Sequence, residues 1–304
     1  MHTLESSALS SNSSPVAHRT IGLVAGEGDL PIIAAKNATQ EGHTVIGFSL
    51  DARTYSQLQN VCQRVYPISA GLLGQTFALL QQEGVQDLVF AGKVNKWILF
   101  RNPRLDKLAI EALQQLRASS PLSDDQMMGT LCRMLEGIGI QVIPQSRFLK
   151  ELLLPAGVLT QEHPTENELQ DIAYGFRLAK TIGEIDVGQS VVVKDGMALA
   201  LEAIEGTDAC IRRAGAWGRR SLWWFRRRHP GGCVVKVAKP QQDNRFDIPT
   251  VGLRTMKTLH KAGFRVLAVE ASQTLFLEPE AMINFANRHR LVIAIMPAPV
   301  RDDL

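Results

Sequence analysis

At 304 residues, with 33 basic against 30 acidic side chains and 45% hydrophobic content, the chain has the composition of an ordinary globular protein with room for two cores. A formal net charge of +3 is too balanced to make nucleic acid the default partner. Four scattered cysteines, Cys62, Cys132, Cys210 and Cys233, exclude a disulfide scaffold or paired zinc spacing, and no apolar run reaches the ~18 residues that cross a bilayer. Reduced thiols in a cytoplasmic protein are therefore expected.

Residues 1–17 contain the serine-rich run SSALSSNSSP, too polar to order itself, and are set aside as a leader. TIGLVAGEGDLP then reads as a buried strand from Thr20 to Ala25, a glycine turn, and a helix from Pro31 through Ala38. HTVIGFSL (43–50), RVYPI (64–68), DLVFAGKV (87–94) and QVIP (141–144) add strands separated by helical stretches. Alternation of that kind predicts α/β architecture with an N-terminal Rossmann-like parallel sheet over residues 18–148. Two prolines and a glycine without a clear period make 149–164 a linker. A second, mixed-sheet α/β domain over 165–304 is expected beyond it. It opens with the helix NELQDIAYGFRLAKTIGEID, followed by QSVVVKDG and MALALEAI as a hairpin turning at Lys194–Asp195–Gly196. CVVKVAK is a further strand, and two helix–strand units with a short strand TLFLEP between them complete the chain.

Polar chemistry concentrates in a few turns. Gly26 and Gly28, between the first strand and helix, suit a phosphate on exposed N–H groups, although the third glycine of a dinucleotide fingerprint is missing and a plain tight turn explains them equally well. Gly92 and Lys93 close a strand at the carboxyl edge, where open α/β sheets place ligands. Glu205–Gly206–Thr207–Asp208 reads as a turn and an N-capped helix; Thr207 or Asp208 could be the cap, or part of a diphosphate or metal site. Asp124–Asp125 reads as a capping pair just before a helix. In KPQQDNRFDIPTVG (239–252), Lys239, Gln242, Arg245, Asp247 and Thr250 are framed by Pro240, Pro249 and Gly252, an ordered loop whose cations and carboxylate suit an anionic ligand. The stretch RRAGAWGRRSLWWFRRRH (212–229) interleaves arginine with Trp217, Trp223, Trp224 and Phe225, a pattern that fits an anionic lipid surface; a solvated helix with inward tryptophans is the plain alternative. No histidine pair shows metal-ligand spacing.

IGLVAGEGDLP, FAGKV, IGEIDVGQSVVV, AIEGTDACIRR and KPQQDNRFDIPTVG together resemble, in order and spacing, the UDP-2,3-diacylglucosamine pyrophosphatases of lipid A biosynthesis that are unrelated to metallophosphoesterases. The resemblance covers nearly everything after residue 18. It implies a two-domain hydrolase that uses Mg²⁺ or another divalent cation to split UDP-2,3-diacylglucosamine into UMP and 2,3-diacylglucosamine 1-phosphate, with the lipid between the domains. The family's essential aspartate falls on Asp247, with Asp208 as a second acid; Asp247, Glu205 and Asp208 are the expected metal contacts. Gly26, Gly28, Gly92, Lys93, Thr207, Lys239, Gln242, Arg245 and Thr250 are the expected substrate contacts. A peripheral position on the inner face of the inner membrane goes with a lipid substrate, and a homodimer is a candidate assembly. The competing readings are a nicotinamide-dependent oxidoreductase built on the first glycine turn and a non-catalytic lipid- or nucleotide-binding regulator.

Overall fold

A computed structural model describes residues 18–93, 104–117, 124–220, 231–245 and 247–297. In the first half, β1 (Thr20–Ala25), β2 (Thr44–Ser49), β3 (Arg64–Pro67), β4 (Asp87–Ala91) and β5 (Gln141–Val142) form a five-stranded sheet in the order β3-β2-β1-β4-β5, parallel throughout. The helices between them are α1 (Leu30–Gln40), α2 (Ala52–Leu58), α3 (Leu73–Gln82), α4 (Lys107–Arg117) and α5 (Asp124–Gly137). Alternate residues of β1 serve opposite faces, as a pleated strand requires. Ile21, Leu23 and Ala25 pack with Ala34, Ala35 and Leu58 on one side, while Val24 packs with Phe77, Leu80 and Leu135 on the other. Both faces being covered explains why these strands read as continuous apolar runs. The chain direction of the order reverses beside β1, so the crevice for a ligand opens at the carboxyl ends of β1 and β4.

The segment expected as a linker is packed at both ends. Two short 3-10 turns, Gln145–Phe148 and Lys150–Leu152, bury Phe148, Leu149 and Leu152 in the core beneath α1, where Asn37 Nδ2 donates to the Phe148 carbonyl at 2.8 Å. β6 (Gly157–Val158) then joins the second half as an antiparallel edge strand.

The second half holds α6 (Glu166–Glu184), β7 (Ser190–Lys194), β8 (Met197–Leu201), α7 (Thr207–Arg220), β9 (Cys233–Lys236), β10 (Thr250–Val251), α8 (Leu253–Ala262), β11 (Val266–Glu270), β12 (Leu275–Phe276), α9 (Pro279–Arg288) and β13 (Val292–Met296). Its main sheet runs β6-β13-β11-β9-β7-β8, with parallel pairing from β13 through β9 and antiparallel pairing at both edges. This is the mixed α/β domain that the alternating sequence pattern predicts. α6 starts with a full capping box, Thr165 and Glu168 satisfying each other's backbone N–H, and covers one face through Ile172, Phe176 and Ala179. α7, α8 and α9 cover the other face through Ile211, Met256 and Met282. The β7–β8 hairpin turns at Asp195 (φ 51°) and Gly196 (φ 73°), and both amides of that turn donate to the Asp171 carboxylate at 2.9 and 2.7 Å.

The two halves share a core. Ile248 and Leu275 of the second half are buried among α1, β1 and the 148–152 turns of the first. All four cysteines are free and buried, and burial pushes the Cys62 and Cys210 thiols up to about 12. None of them is a neutral-pH nucleophile.

Two sequence readings need correction. Asp124 and Asp125, expected just before a helix, lie within the helix described over Asp124–Gly137, and residues 118–123 lie outside the described residues. Neither Thr207 nor Asp208 caps α7. The Gly206 carbonyl accepts from the amides of Ala209 and Cys210 at 3.2 and 3.1 Å, which places Gly206 in the cap position and frees Thr207 for other bonds.

Candidate active site

At the carboxyl edge of the first sheet, two glycine turns cross each other. Glu27 N donates to the Lys93 carbonyl at 2.8 Å and Lys93 N donates back to Glu27 O at 2.9 Å, an isolated antiparallel bridge joining the ends of β1 and β4. The crossing leaves no room for side chains. A Cβ on Gly26 would lie 2.5 Å from the Lys93 carbonyl oxygen, and one on Gly92 (φ 87°) would lie 2.8 Å from Pro31. Gly26 is required by backbone approach, and Gly92 by close approach together with its positive φ. Gly28 (φ 103°) has nothing within 4 Å of such a Cβ and leaves the turn open at the start of α1. The bridge fixes the backbone of Lys93, whose exposed side chain stands at the ligand edge of the sheet.

From the second half, the two polar motifs meet around a residue that motif reading passed over. Lys236 ends β9 and is 8% exposed. Its ammonium donates to Thr207 Oγ1 at 3.2 Å and to the Thr250 carbonyl at 3.0 Å. Thr207 Oγ1 also lies 3.1 Å from Glu202 Oε1 and 3.2 Å from Ser190 Oγ. Glu202 is itself buried, and its second oxygen, Oε2, has no hydrogen-bond partner among the described residues. Desolvation pushes the Lys236 ammonium below the usual lysine range; Glu202, Asp247 and Asp208 oppose the fall, and Lys93 adds to it. The charges of Asp247 and Asp208, from different motifs, and of Lys93, from the other half of the chain, therefore all act on one buried cation.

The remaining expected residues take separate positions. Asp208 pairs with Arg254 at 2.7 Å across the start of α8. Glu205 is held by Arg213, whose hydrogen bond keeps its carboxyl below the usual range. The Lys239 amide donates to Gln242 Oε1 at 2.9 Å, while the Lys239 ammonium pairs with Asp186. Gln242 Nε2 is buried without a partner among the described residues. Arg245 binds Asp243 through Nε and Nη2 and reaches Glu136 on α5 through Nη1 at 3.2 Å, spanning the two halves. Those bonds depress the Asp243 carboxyl and raise the Arg245 guanidinium. Asp247 N donates to the Asp243 carbonyl at 3.2 Å, and Thr250 Oγ1 to the Ile248 carbonyl at 3.1 Å, so the loop is braced by its own backbone.

Among the described residues, no group of three or more His, Cys, Asp or Glu is arranged to hold a metal ion. Two carboxylates are enough for magnesium, which keeps waters and takes substrate phosphates as further ligands. Asp208 and Asp247 both act on Lys236, and Asp208 and Glu205 are each engaged by an arginine, Arg254 and Arg213. One signal for Lys236 was present in the sequence: a lysine inside CVVKVA, an otherwise apolar strand, must be buried with partners or break the strand.

Of the Trp/Arg-rich stretch, the backbone through Arg220 continues α7, and Trp223, Trp224 and Phe225 lie outside the described residues. No helix among the described residues is long and apolar enough to cross a membrane.

Comparison with known proteins completes the description. A family model described as the LpxI N-terminal domain matches residues 20–152, and one described as the LpxI C-terminal domain matches residues 155–294. The UDP-2,3-diacylglucosamine pyrophosphatase LpxI of Caulobacter vibrioides is 30% identical over 272 residues, covering 88% of this chain and 94% of its own. Among solved structures, a UDP-glucose-4-epimerase from Stenotrophomonas maltophila has a TM-score of 0.28 at 14% identity, covering 41% of this chain and 35% of that one. The Cj0485 dehydrogenase has a TM-score of 0.28 at 10% identity, covering 84% and 68%. Likenesses at that level carry no argument about function.

Proposed function

The chain belongs to the LpxI family, and we propose that it hydrolyses UDP-2,3-diacylglucosamine to UMP and 2,3-diacylglucosamine 1-phosphate in lipid A biosynthesis. The observation that supports this most is the meeting of the E-G-T-D turn and the K-P-x-Q-x-x-R-x-D-x-P-T-x-G loop around Lys236, on which the charge of Lys93 from the first half also acts. A diphosphate needs cations for its oxygens and an acid beside the attacking water, and this junction holds both types.

Lys239 and Arg245 would bind phosphate oxygens, exchanging their present carboxylate partners Asp186, Asp243 and Glu136 for the ligand. Asp247 carries one of two roles, contact with the metal or orientation and deprotonation of the attacking water. Asp208 is the second acidic contact. A divalent cation, magnesium above others, would sit on Asp247 and Asp208 and neutralise charge on the diphosphate; Asp208 would first release Arg254, and Glu205 would join the set by releasing Arg213. Gly28 and the start of α1 offer free amides to the nucleotide side.

The acylated end of the substrate finds apolar surface close by. Ile204 in the E-G-T-D turn is 94% exposed, and Ile185 and Val187 are 68% and 46% exposed on the chain leading into β7. The enzyme would work against the inner face of the inner membrane, and the basic stripe Arg254, Lys257 and Lys261 on α8, which packs on α7, suits anionic head groups. The 149–164 segment, shared by both halves, is the proposed hinge for admitting the lipid.

Release of UMP by purified protein, with and without Mg²⁺, tests the reading, with Asp247→Ala alongside. Metal-dependent release that falls at least ~100-fold in a folded Asp247→Ala variant is expected. Near-normal turnover in that variant would remove Asp247 from the mechanism. Attack on the phosphorus nearer the sugar puts the label from isotopically labelled water into the lipid phosphate, and label in UMP would reverse that assignment.

A further inference from the structure

We propose that Lys236 is a positioning residue for this hydrolysis: its buried ammonium clamps the turn carrying Asp208 to the strand that follows Asp247 and so sets the separation of the two acids. The proposal rests on the pyrophosphatase reading and adds a residue to its machinery.

The clamp is visible in the bonds. One donor of the ammonium goes to the side chain of Thr207, the first residue of α7, whose neighbour in sequence is Asp208. Another goes to the main-chain oxygen of Thr250, the first residue of β10, three positions after Asp247. Thr207 passes the link on to the buried Glu202 and to Ser190 of β7, so the ammonium anchors both motifs to the main sheet. No backbone ladder connects these motifs to each other: β10 pairs only with β12, and α7 packs on β8 and α8. Lys236 bonds directly to one residue of each motif, and the Asp208–Arg254 pair adds a link from the turn to the start of α8.

A lysine is not the least costly way to fill this place. An ammonium loses several kcal/mol of hydration on burial, and apolar side chains in place of both Lys236 and the buried Glu202 would pack without that cost, whereas removing the lysine alone strands the carboxylate. A buried charge kept where an apolar side chain would pack is better explained by what it organises. Two acids destined for a diphosphate repel each other, and the fixed charge of Lys236, which acts on both, lowers that repulsion before substrate arrives. A displacement of about 1 Å between reacting groups costs roughly 100-fold in rate, so the tie need not touch substrate to matter.

The test is Lys236→Met, assayed for UMP release from UDP-2,3-diacylglucosamine beside wild type, with thermal midpoints measured for both. Expected are a kcat of the folded fraction at least ~30-fold lower, a KM within about threefold and a lowered midpoint, because the buried Glu202 loses its cation. A residue with only a structural role would lower the midpoint too but leave the kcat of the folded fraction intact, and a kcat within threefold of wild type overturns the proposal. Thr207→Val supplies the second arm. Because the clamp acts through that hydroxyl, the Lys236→Met/Thr207→Val double variant should lose little more than the worse single variant. Losses that multiply would mean the two act independently, which also overturns it. If Lys236→Met does not fold, Lys236→Gln, which keeps a donor without the charge, takes its place under the same criteria. Failure of wild type to release UMP at all would strike the pyrophosphatase reading, a result distinct from an unaffected Lys236 variant.

Discussion

Arg245 Nη1 reaches Glu136 Oε1 at 3.2 Å, tying the 239–252 loop of the second half to α5 of the first. The same guanidinium holds Asp243 within its own loop. A pair this exposed contributes little to stability, under about 1 kcal/mol, so its value lies in where it keeps the guanidinium. Arg245→Met is expected to raise KM by roughly 10-fold or more, the range for lost hydrogen bonds to a charged group, with kcat less affected. Glu136→Gln, which removes only the competing carboxylate, should leave KM unchanged or lower it. Steady-state kinetics on the two variants checks this; a KM rise in Glu136→Gln would show that the pair itself, and not the freed arginine, serves binding.

The glycine crossing makes a graded prediction. Gly26→Ala and Gly92→Ala force a Cβ to within 2.5 and 2.8 Å of neighbouring atoms, whereas Gly28→Ala meets nothing within 4 Å. Urea unfolding should show losses of about 3 kcal/mol for the first two, from overpacking and, at Gly92, from strain at positive φ. Gly28→Ala should cost about 1 kcal/mol, yet it places a methyl where a phosphate would approach, so its effect should appear in KM. Equal stability losses at all three positions would remove the close crossing as the cause.

The two acids of the E-G-T-D turn should separate in mutagenesis. Both are paired, Asp208 with Arg254 and Glu205 with Arg213, and the charge of Asp208 acts on the buried Lys236. Asp208→Asn is expected to lower kcat at least ~100-fold and Glu205→Gln less than about fivefold. Titrating Mg²⁺ against activity in each variant checks the assignment: the half-saturating concentration should rise for Asp208→Asn alone. A rise for Glu205→Gln of the same size would bring Glu205 into the metal set.

His43 gives the stability a predictable pH dependence. It is 7% exposed, meets Phe148 edge-on at 5.7 Å between ring centres, and has an Nδ1 without a partner among the described residues. Burial holds its pKa below the usual 6.5, partly offset by Glu41. The unfolded chain therefore takes up the proton first, so the contribution of neutral His43 is complete above about pH 6.5 and is lost as the pH falls through its lower folded pKa. Thermal midpoints should drop between about pH 7 and 5, and His43→Phe should flatten part of that drop. An unchanged slope in the variant would assign the pH dependence to other groups.

Much of the fold was legible because strands buried on both faces and helices buried on one face leave different periods. β1 over Thr20–Ala25 coincides with its apolar run, and the hairpin at Asp195–Gly196 follows from residues that tolerate positive φ. β6 and β10, each two residues long, escaped because so short a run carries no period. The cap of α7 was misread because Thr207 and Asp208 are good capping residues, and only the third dimension shows Thr207 turned toward Lys236 and Asp208 toward Arg254.

What the sequence by itself determined was the α/β class, the family, and the polar motifs, since those depend on residue types in local order. Tertiary structure alone decided which members of those motifs meet. Asp247 and Asp208 share the neighbourhood of one buried lysine although 39 positions apart, whereas Glu205, three residues before Asp208, is drawn away by Arg213. Charge acts through space and not along the chain, and burial multiplies its reach, so the electrostatic centre of the site could be located only once β9 had carried Lys236 between the two motifs.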